Sequence, residues 1–235
     1  MITWVRTCNF AYRATIRLLD VIVASIILII TAPLLVLIAL LIRFESPGPA
    51  LFRHQRVGMN RTPFIFYKFR TMYVDARQRF PELYAYEYSD EELYTLPIKL
   101  LVGPRRDPEL IEGPIEEFGS KERCDPRVTR IGRWLRRTSL DELPNFWNVL
   151  KGDMHLVGPR PDIEENVRYY SPRHLQKLVV KPGITGLAQV RGRGNLSFHE
   201  TNELDVEYVE KQSLALDVWI LLKTILVSLK REGAF

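Results

Sequence analysis

Between Asp20 and Arg43 the chain carries no charged side chain, and most residues from Val21 to Ile42 are Ile, Leu or Val. About 20 such residues form a helix long enough to cross the hydrocarbon core of a bilayer. A buried core helix is the alternative, but a helix apolar on all faces is rare in a soluble domain of this size. A cleaved signal peptide has a shorter apolar run and a small-residue cleavage site, and neither fits here. The path of such a helix is a separate question. Pro33 sits at its middle, and proline removes one backbone hydrogen bond and crowds the preceding turn, which predicts a kink near Thr31-Ala32-Pro33. Arg6, Arg13 and Arg17 precede the run; Arg43, Arg53, Arg56 and Arg61 follow it. Basic residues favour the cytoplasmic side, so a simple crossing should show an asymmetry that these flanks lack. The expectation is a re-entrant helix over about residues 18–43, inside an N-terminal membrane anchor of residues 1–46, with a simple span as the alternative.

The remainder, residues 47–235, is long enough for one ordinary domain. With 46% hydrophobic and 26% charged residues in the whole chain, a packed core is expected and global disorder is excluded. The net charge of +5 suits anionic partners: phosphorylated substrates, acidic lipid head groups or nucleic acid. Cys8 and Cys124 stand in unrelated contexts without metal-ligand spacing and read as free thiols of a reducing compartment. There is no CxxC, no HExxH and no phosphate-binding G-x-x-x-x-G-K-[ST] motif.

Ser46-Pro47-Gly48-Pro49 ends the anchor with a rigid turn. Residues 50–58 and 62–70 are β-rich, and Asn60-Arg61 between them predicts a hairpin. Residues 75–123 read as an irregular insertion with short helices, one near Ser89 to Leu96. A short basic helix is expected over Ile131 to Arg137, and a second over Ser139 to Lys151, stopped by Gly152. Residues 162–179 suggest a polar helix interrupted at Ser171-Pro172, and Pro182 to Gly194 a loop or strand. Glu200 to Lys211 reads as helical. Leu214 to Arg231 is an apolar helix with two readings: a packed C-terminal helix, or an interfacial one with snorkelling lysines. The fold class expected is α+β, mainly helical, with a small hairpin and amphipathic interfacial helices.

Chemistry concentrates between Arg130 and Pro161. Asp141 and Glu142 follow Arg130, Arg133, Arg136 and Arg137, and Pro144 fits a first helical turn. Adjacent acids at a helix start usually just face solvent and complement the dipole. The same position also attracts phosphate, and a carboxylate there can attack phosphorus to form an acyl phosphate. Two anions meeting a diphosphate repel it, so arginines and a divalent cation, Mg²⁺ or Mn²⁺, are expected. An ionised Asp141 with a low pKa is expected beside the arginine-rich helix. Gly158-Pro159-Arg160-Pro161 is a surface turn or a stiff support for a phosphate-binding arginine. Lys68 and Arg70, at the end of the second predicted strand, would point to one face at period two, as a phosphate-binding pair or a solvated strand face.

Four stretches then carry a resemblance: KFRTM at 68–72, DPRVTRIGRWLRRTSLDELPNFWNVLKGDMHLVGPRP at 125–161, KPGITGLAQVRGRG at 181–194 and DVEYVEKQSLALDVWILLKT at 205–224. With the proline-broken apolar helix, the chain resembles the bacterial sugar transferases known as monotopic phosphoglycosyl transferases. The resemblance implies a ping-pong reaction at the cytoplasmic face of the bacterial inner membrane. Asp141 matches the family nucleophile, which would take a phosphosugar from a UDP-sugar, release UMP and pass it to undecaprenyl phosphate. Glu142 matches the second acid of the dyad and, with Asp141, would help place Mg²⁺. Lys68, Arg70, Arg136, Arg137, Arg160, Arg191, Arg193 and Asp205 form the implied substrate- and phosphate-binding set. Membrane lipids are implied partners and nucleic acid is not. Arg191 and Lys211 stand where the family often has asparagine, and the chain looks like the bare catalytic unit, without the extra membrane helices of larger members.

Overall fold

The computed structural model describes residues 10–84, 89–98 and 125–230. Both cysteines, much of the 75–123 insertion and Arg231 lie outside the described residues. In chain order the elements are α1 (Phe10–Glu45), β1 (Leu51–Val57), β2 (Pro63–Phe69), α2 (Ala76–Arg79), α3 (Asp90–Thr95), α4 (Arg130–Thr138), α5 (Phe146–Lys151), β3 (His155–Val157), α6 (Glu164–Val167), β4 (Gly183–Thr185), α7 (Leu187–Arg191), α8 (Phe198–Lys211) and α9 (Leu214–Lys230). Short 3-10 turns join them, among them Leu140–Asn145 and His174–Val179. The class is α+β: mainly helical, with one antiparallel and one parallel pair of strands.

Helix α1 has 36 residues, about 54 Å at 1.5 Å per residue, and is the one described helix long and apolar enough to cross a membrane. It runs on through Pro33 as a single element. Its middle is bare of protein: Ile29 and Ile30 are each 73% exposed. Its ends are not. Arg17 donates to the carbonyls of Val149 (2.5 Å) and Leu150 (2.6 Å) in the last turn of α5, where a cation complements the helix dipole. Asp20 is bonded to His155 Nδ1 and accepts from Leu156 N at 3.0 Å, and Ala24 joins the main core. At the other end Ile38 and Ile42 pack on Phe69 and Leu135. Glu45 accepts from Arg130 N (2.6 Å) and Ile131 N (3.0 Å), an anion capping the start of α4. The helix is therefore longer than the 18–43 expected from hydropathy alone, because polar residues outside the apolar run find partners in the domain.

The expected hairpin forms, with a register from Leu51↔Phe69 to Val57↔Pro63. Asn60 and Arg61 turn the chain at φ 54° and 60°, a left-handed conformation that asparagine tolerates well. The outer edge of β2 is closed by Asn148 of α5, which accepts from Tyr67 N (3.2 Å) and donates to Ile65 O (2.6 Å). A wholly buried side chain thus satisfies backbone groups that would otherwise be orphaned.

The single helix expected over Ser139 to Lys151 is not formed. Ser139 is left-handed (φ 56°) and ends α4; Leu140–Asn145 is a 3-10 turn, and α5 starts at Phe146. Pro144 cannot donate a helical hydrogen bond, which breaks the α-pattern. The polar helix expected over 162–179 reduces to one-turn α6 and the turn His174–Val179, since Asp162 takes Ile163 N (2.9 Å) and the Asn166 amide (2.6 Å). In the glycine-rich stretch, β4 pairs in parallel with β3. A Cβ on Gly183 would stand 2.1 Å from Gly158 N, so only glycine allows that approach. Ser89 and Ser197 form capping boxes with Glu92 and Glu200, starting α3 and α8.

Candidate active site

Three segments converge on the turn that bears Asp141. The 3-10 turn Leu140–Asn145 packs against β2 and offers Asp141 and Glu142 in its first turn. Asp141 is 8% exposed. Lys68 from β2, Arg136 from the last turn of α4 and Arg160 from the loop after β3 all act on it electrostatically. Among the described residues, its carboxylate makes no hydrogen bond or ion pair of its own. Glu142 does: Arg160 donates to its Oε1 at 2.7 Å. Arg136 is oriented by Thr71, which accepts from its Nε at 3.1 Å. That contact needs α4 close against the 71–72 segment, and Gly132 permits it: a Cβ there would lie 2.0 Å from Thr71 O.

The electrostatics correct one expectation. The pKa of Asp141 does not stay low; burial and then the neighbouring Glu142 charge raise it to about 6, against the pull of Lys68, Arg136 and Arg160. Burial likewise brings Lys68 down to about 8, with Asp141 working the other way. Arg160 moves up, chiefly through Glu142. Partly dehydrated opposite charges held near one another without contact form a receptor for a group that carries both charge and acceptor oxygens.

The expected phosphate-binding set divides. Lys68, Arg136 and Arg160 face the acids. Arg70 does not: β2 ends at Phe69, so the alternation with Lys68 is broken, and the buried Arg70 guanidinium donates to Pro47 O (2.5 Å) and Ser46 O (2.7 Å) at the end of the anchor. Arg137 is exposed to solvent. Arg191 pairs with Glu207 of α8 at 2.9 Å on the surface. Arg193 opens the 3-10 turn Arg193–Asn195. Asp205 is wholly buried and bonded to Lys177 at 2.9 Å, which makes it a partner in an internal ion pair rather than a free ligand.

Arg56 was not a sequence candidate beyond its charge. It stands in β1, 3.9 Å from Asp162 and 5.5 Å from the Phe66 ring centroid, and its buried Nε has no hydrogen-bond partner among the described residues. Glu142 and Arg160 lie within its electrostatic reach, which makes it a fourth cation at the site's edge. Asp162 holds it there, itself fixed by the Tyr170 hydroxyl at 3.0 Å. Only a cross-strand reading of β1 against residue 162 could have found it, through the isolated bridge Val57↔Asp162.

The family model described as "Bacterial sugar transferase" matches residues 11–231. A Caulobacter vibrioides protein named UDP-glucose:undecaprenyl-phosphate glucose-1-phosphate transferase is 40% identical over 230 residues, covering 93% of this chain and 71% of its own. The undecaprenyl-phosphate galactose phosphotransferase of Salmonella typhimurium is 38% identical over 219 residues, 93% of this chain but 41% of that protein. Exopolysaccharide production protein ExoY of Rhizobium meliloti is 33% identical over 219 residues, 93% of this chain and 87% of that one. The chain thus spans under half the length of several relatives, 71% of one and 87% of another. A match over nearly all of the described residues, including every segment that builds the acid–cation cluster, makes this chain a member of the bacterial sugar transferase family.

Proposed function

We propose that the protein transfers a sugar-1-phosphate from a UDP-sugar to undecaprenyl phosphate at the cytoplasmic face of the inner membrane, with Asp141 as nucleophile. The observation that carries this reading is Asp141 itself: buried, unbonded and facing Lys68, Arg136 and Arg160. The names of the relatives support the donor and acceptor classes. With a pKa of about 6, Asp141 is ionised at neutral pH and needs no separate base. Its carboxylate oxygen attacks the sugar-linked phosphorus, the bond to the UMP oxygen breaks, and UMP leaves with that electron pair. An oxygen of the lipid phosphate then attacks the same phosphorus and returns the carboxylate. The cations hold the phosphoryl oxygens as charge moves between them. Splitting the transfer lets a water-soluble donor and a lipid acceptor use one site in turn.

Asp141 and Glu142 present hard carboxylate oxygens, the donor type of Mg²⁺ and Mn²⁺, and the Glu142 charge that raises Asp141 is a repulsion a divalent cation would relieve. Bound there, the cation would add Lewis-acid stabilisation of the diphosphate. The test is UMP release by the purified chain with a panel of UDP-sugars, undecaprenyl phosphate and Mg²⁺. Release that depends on a UDP-sugar and is lost on exhaustive chelation supports the reading. No release with any UDP-sugar contradicts it, and full activity after chelation removes the metal.

Anchoring from one side is supported by the two ends of α1. Arg17 and Asp20 bind α5 and β3, while Glu45 binds α4, all parts of one packed domain. A helix spanning a hydrocarbon core of about 30 Å would put those ends on opposite sides of it. Thr3→Cys in a background without other cysteines should therefore resist a membrane-impermeant thiol reagent added from the periplasm. Labelling from that side would establish a simple span.

A further inference from the structure

Away from Asp141, the described residues bring together a second set of ligand-type side chains. His174 lies in the turn His174–Val179, and His199 and Glu203 sit one turn apart on the same face of α8. One nitrogen from each histidine and one oxygen from Glu203 all fall within 4.8 Å of one another. His174 is 2% exposed. Its Nε2 and the Nδ1 of His199 are buried without a hydrogen-bond partner, a costly condition for two polar atoms in one place. His174 Nε2 stands 3.2 Å from Glu203 Oε1, close but outside hydrogen-bond geometry.

Each of these side chains is also held from outside. Arg173 Nε donates to Glu203 Oε2 at 2.8 Å, which fixes the carboxylate and leaves Oε1 facing the histidines. The His199 ring stacks on Tyr94 of α3 with centroids 4.3 Å apart, and the Tyr170 ring meets His174 edge-on at 6.2 Å. Such outer partners are how metal ligands are oriented. Neutral imidazoles and a carboxylate are the forms of these side chains that bind metal.

We propose that His174, His199 and Glu203 form a binding site for a divalent late-transition cation, with Zn²⁺ the preferred occupant and water in the remaining position. Two imidazoles and one carboxylate are a zinc ligand set, whereas Mg²⁺ and Ca²⁺ favour all-oxygen sites. Ligand atoms around tetrahedral zinc stand about 3.4 Å apart, from metal–ligand lengths near 2.1 Å. The cluster closes by about 1 Å on binding, a movement within reach of the half-buried His199 and Glu203. Ligation through Nε2 places the His174 proton on Nδ1 and gives up the contact from Ser171 N, which at 3.4 Å is already long. Zinc would fasten the turn bearing His174 to α8 and, through the Tyr94 stack, to α3. The site is separate from the carboxylates at Asp141 and uses a different class of metal.

The test titrates the chelator-stripped, purified full chain with ZnCl₂ in competition with a chromogenic zinc chelator, and follows thermal unfolding in parallel. The expected result is one Zn²⁺ per chain at micromolar zinc, a raised Tm and no competition from millimolar Mg²⁺. His199→Phe keeps a ring against Tyr94 and removes the ligand nitrogen; Glu203→Gln weakens the oxygen. Each should lower zinc affinity at least about tenfold and abolish the rise in Tm, while Asp141→Asn binds zinc as the native chain does. No zinc binding, or equal binding by the native chain and both variants, overturns the proposal. Loss of binding instead in a chain with Cys8 and Cys124 changed to serine assigns the zinc to the cysteines and overturns it too.

Discussion

Asp205 and Asp141 are both buried aspartates among cations, and they are built for opposite purposes. Asp205 is bonded to Lys177 at 2.9 Å, and Lys177 also donates to Asn202 at 2.7 Å and lies 4.9 Å from the Tyr170 ring centroid. Burial opposes the Lys177 charge, yet Asp205, Tyr170 and Asp162 push its pKa up, while burial raises that of Asp205 against the pull of Lys177. Asp141 has cations on several sides and no bond to any of them among the described residues. The contrast separates a closed ion pair, which holds the turn His174–Val179 against α8, from an open one whose acceptor orbitals are left for a substrate.

Replacing each acid by its amide should expose the difference most strongly. Asp205→Asn leaves Lys177 buried without its counter-charge, which is expected to cost about 3–5 kcal/mol and lower the Tm by about 10 °C. Asp141→Asn goes the other way. Its folded pKa of about 6 lies above the ordinary 3.8, so ionising Asp141 costs stability progressively as pH rises through that window, and the cost is fully present above it. At pH 8 the amide variant should be more stable than the native chain, by up to about 3 kcal/mol at 1.36 kcal/mol per pH unit. Urea unfolding of the three proteins checks both signs, and equal destabilisation by the two changes would break the comparison.

Arg160→Ala comes next in size. It removes the 2.7 Å contact with Glu142, along with one cation facing Asp141. Turnover should fall about 10- to 100-fold, since charge-assisted hydrogen bonds are worth about 1.5–3 kcal/mol. An unchanged rate would reduce Arg160 to a turn residue. The smallest effect is in the pH profile. If the open carboxylate attacks as the anion, kcat/KM for the UDP-sugar at limiting Mg²⁺ should fall about tenfold per pH unit below about 6. Saturating Mg²⁺ should move that limb to lower pH. A rate flat from pH 5 to 8 would mean that the ionisation of Asp141 does not matter.

Much of this was legible in the amino-acid order, where the signal was local. The apolar run declared α1, alternation and Asn60-Arg61 declared the hairpin, and the helical stretch from Glu200 to Lys211 declared most of α8, whose Ser197–Glu200 capping box starts it two residues earlier. Lys68, Arg136, Arg160 and the acid pair, which the fold brings together, were all sequence candidates. What the sequence did not show shares a cause in long-range contact. Arg191 and Asp205 each stand in an ion pair whose partner, Glu207 or Lys177, lies 16 or 28 residues away in the chain. Arg70 was misplaced because the strand stops one residue before it and the anchor's final carbonyls claim it. The pKa of Asp141 was misjudged because burial, its largest cause, has no local sequence signature. The helix expected from Ser139 failed on a backbone detail, the left-handed turn at that residue followed by Pro144.

The central claim is that Asp141 becomes covalently phosphorylated by the donor. Intact-protein mass spectrometry of the purified chain, quenched after mixing with a UDP-sugar and no lipid acceptor, tests it most directly. The account predicts an added mass of one sugar-phosphate on the native chain, released when undecaprenyl phosphate is supplied and absent from Asp141→Asn, whose fold is checked by its unfolding curve. A native chain that turns over with both substrates, shows no adduct under trapping conditions and follows ternary-complex kinetics would contradict it, and would leave Asp141 as a base or metal ligand in a direct transfer.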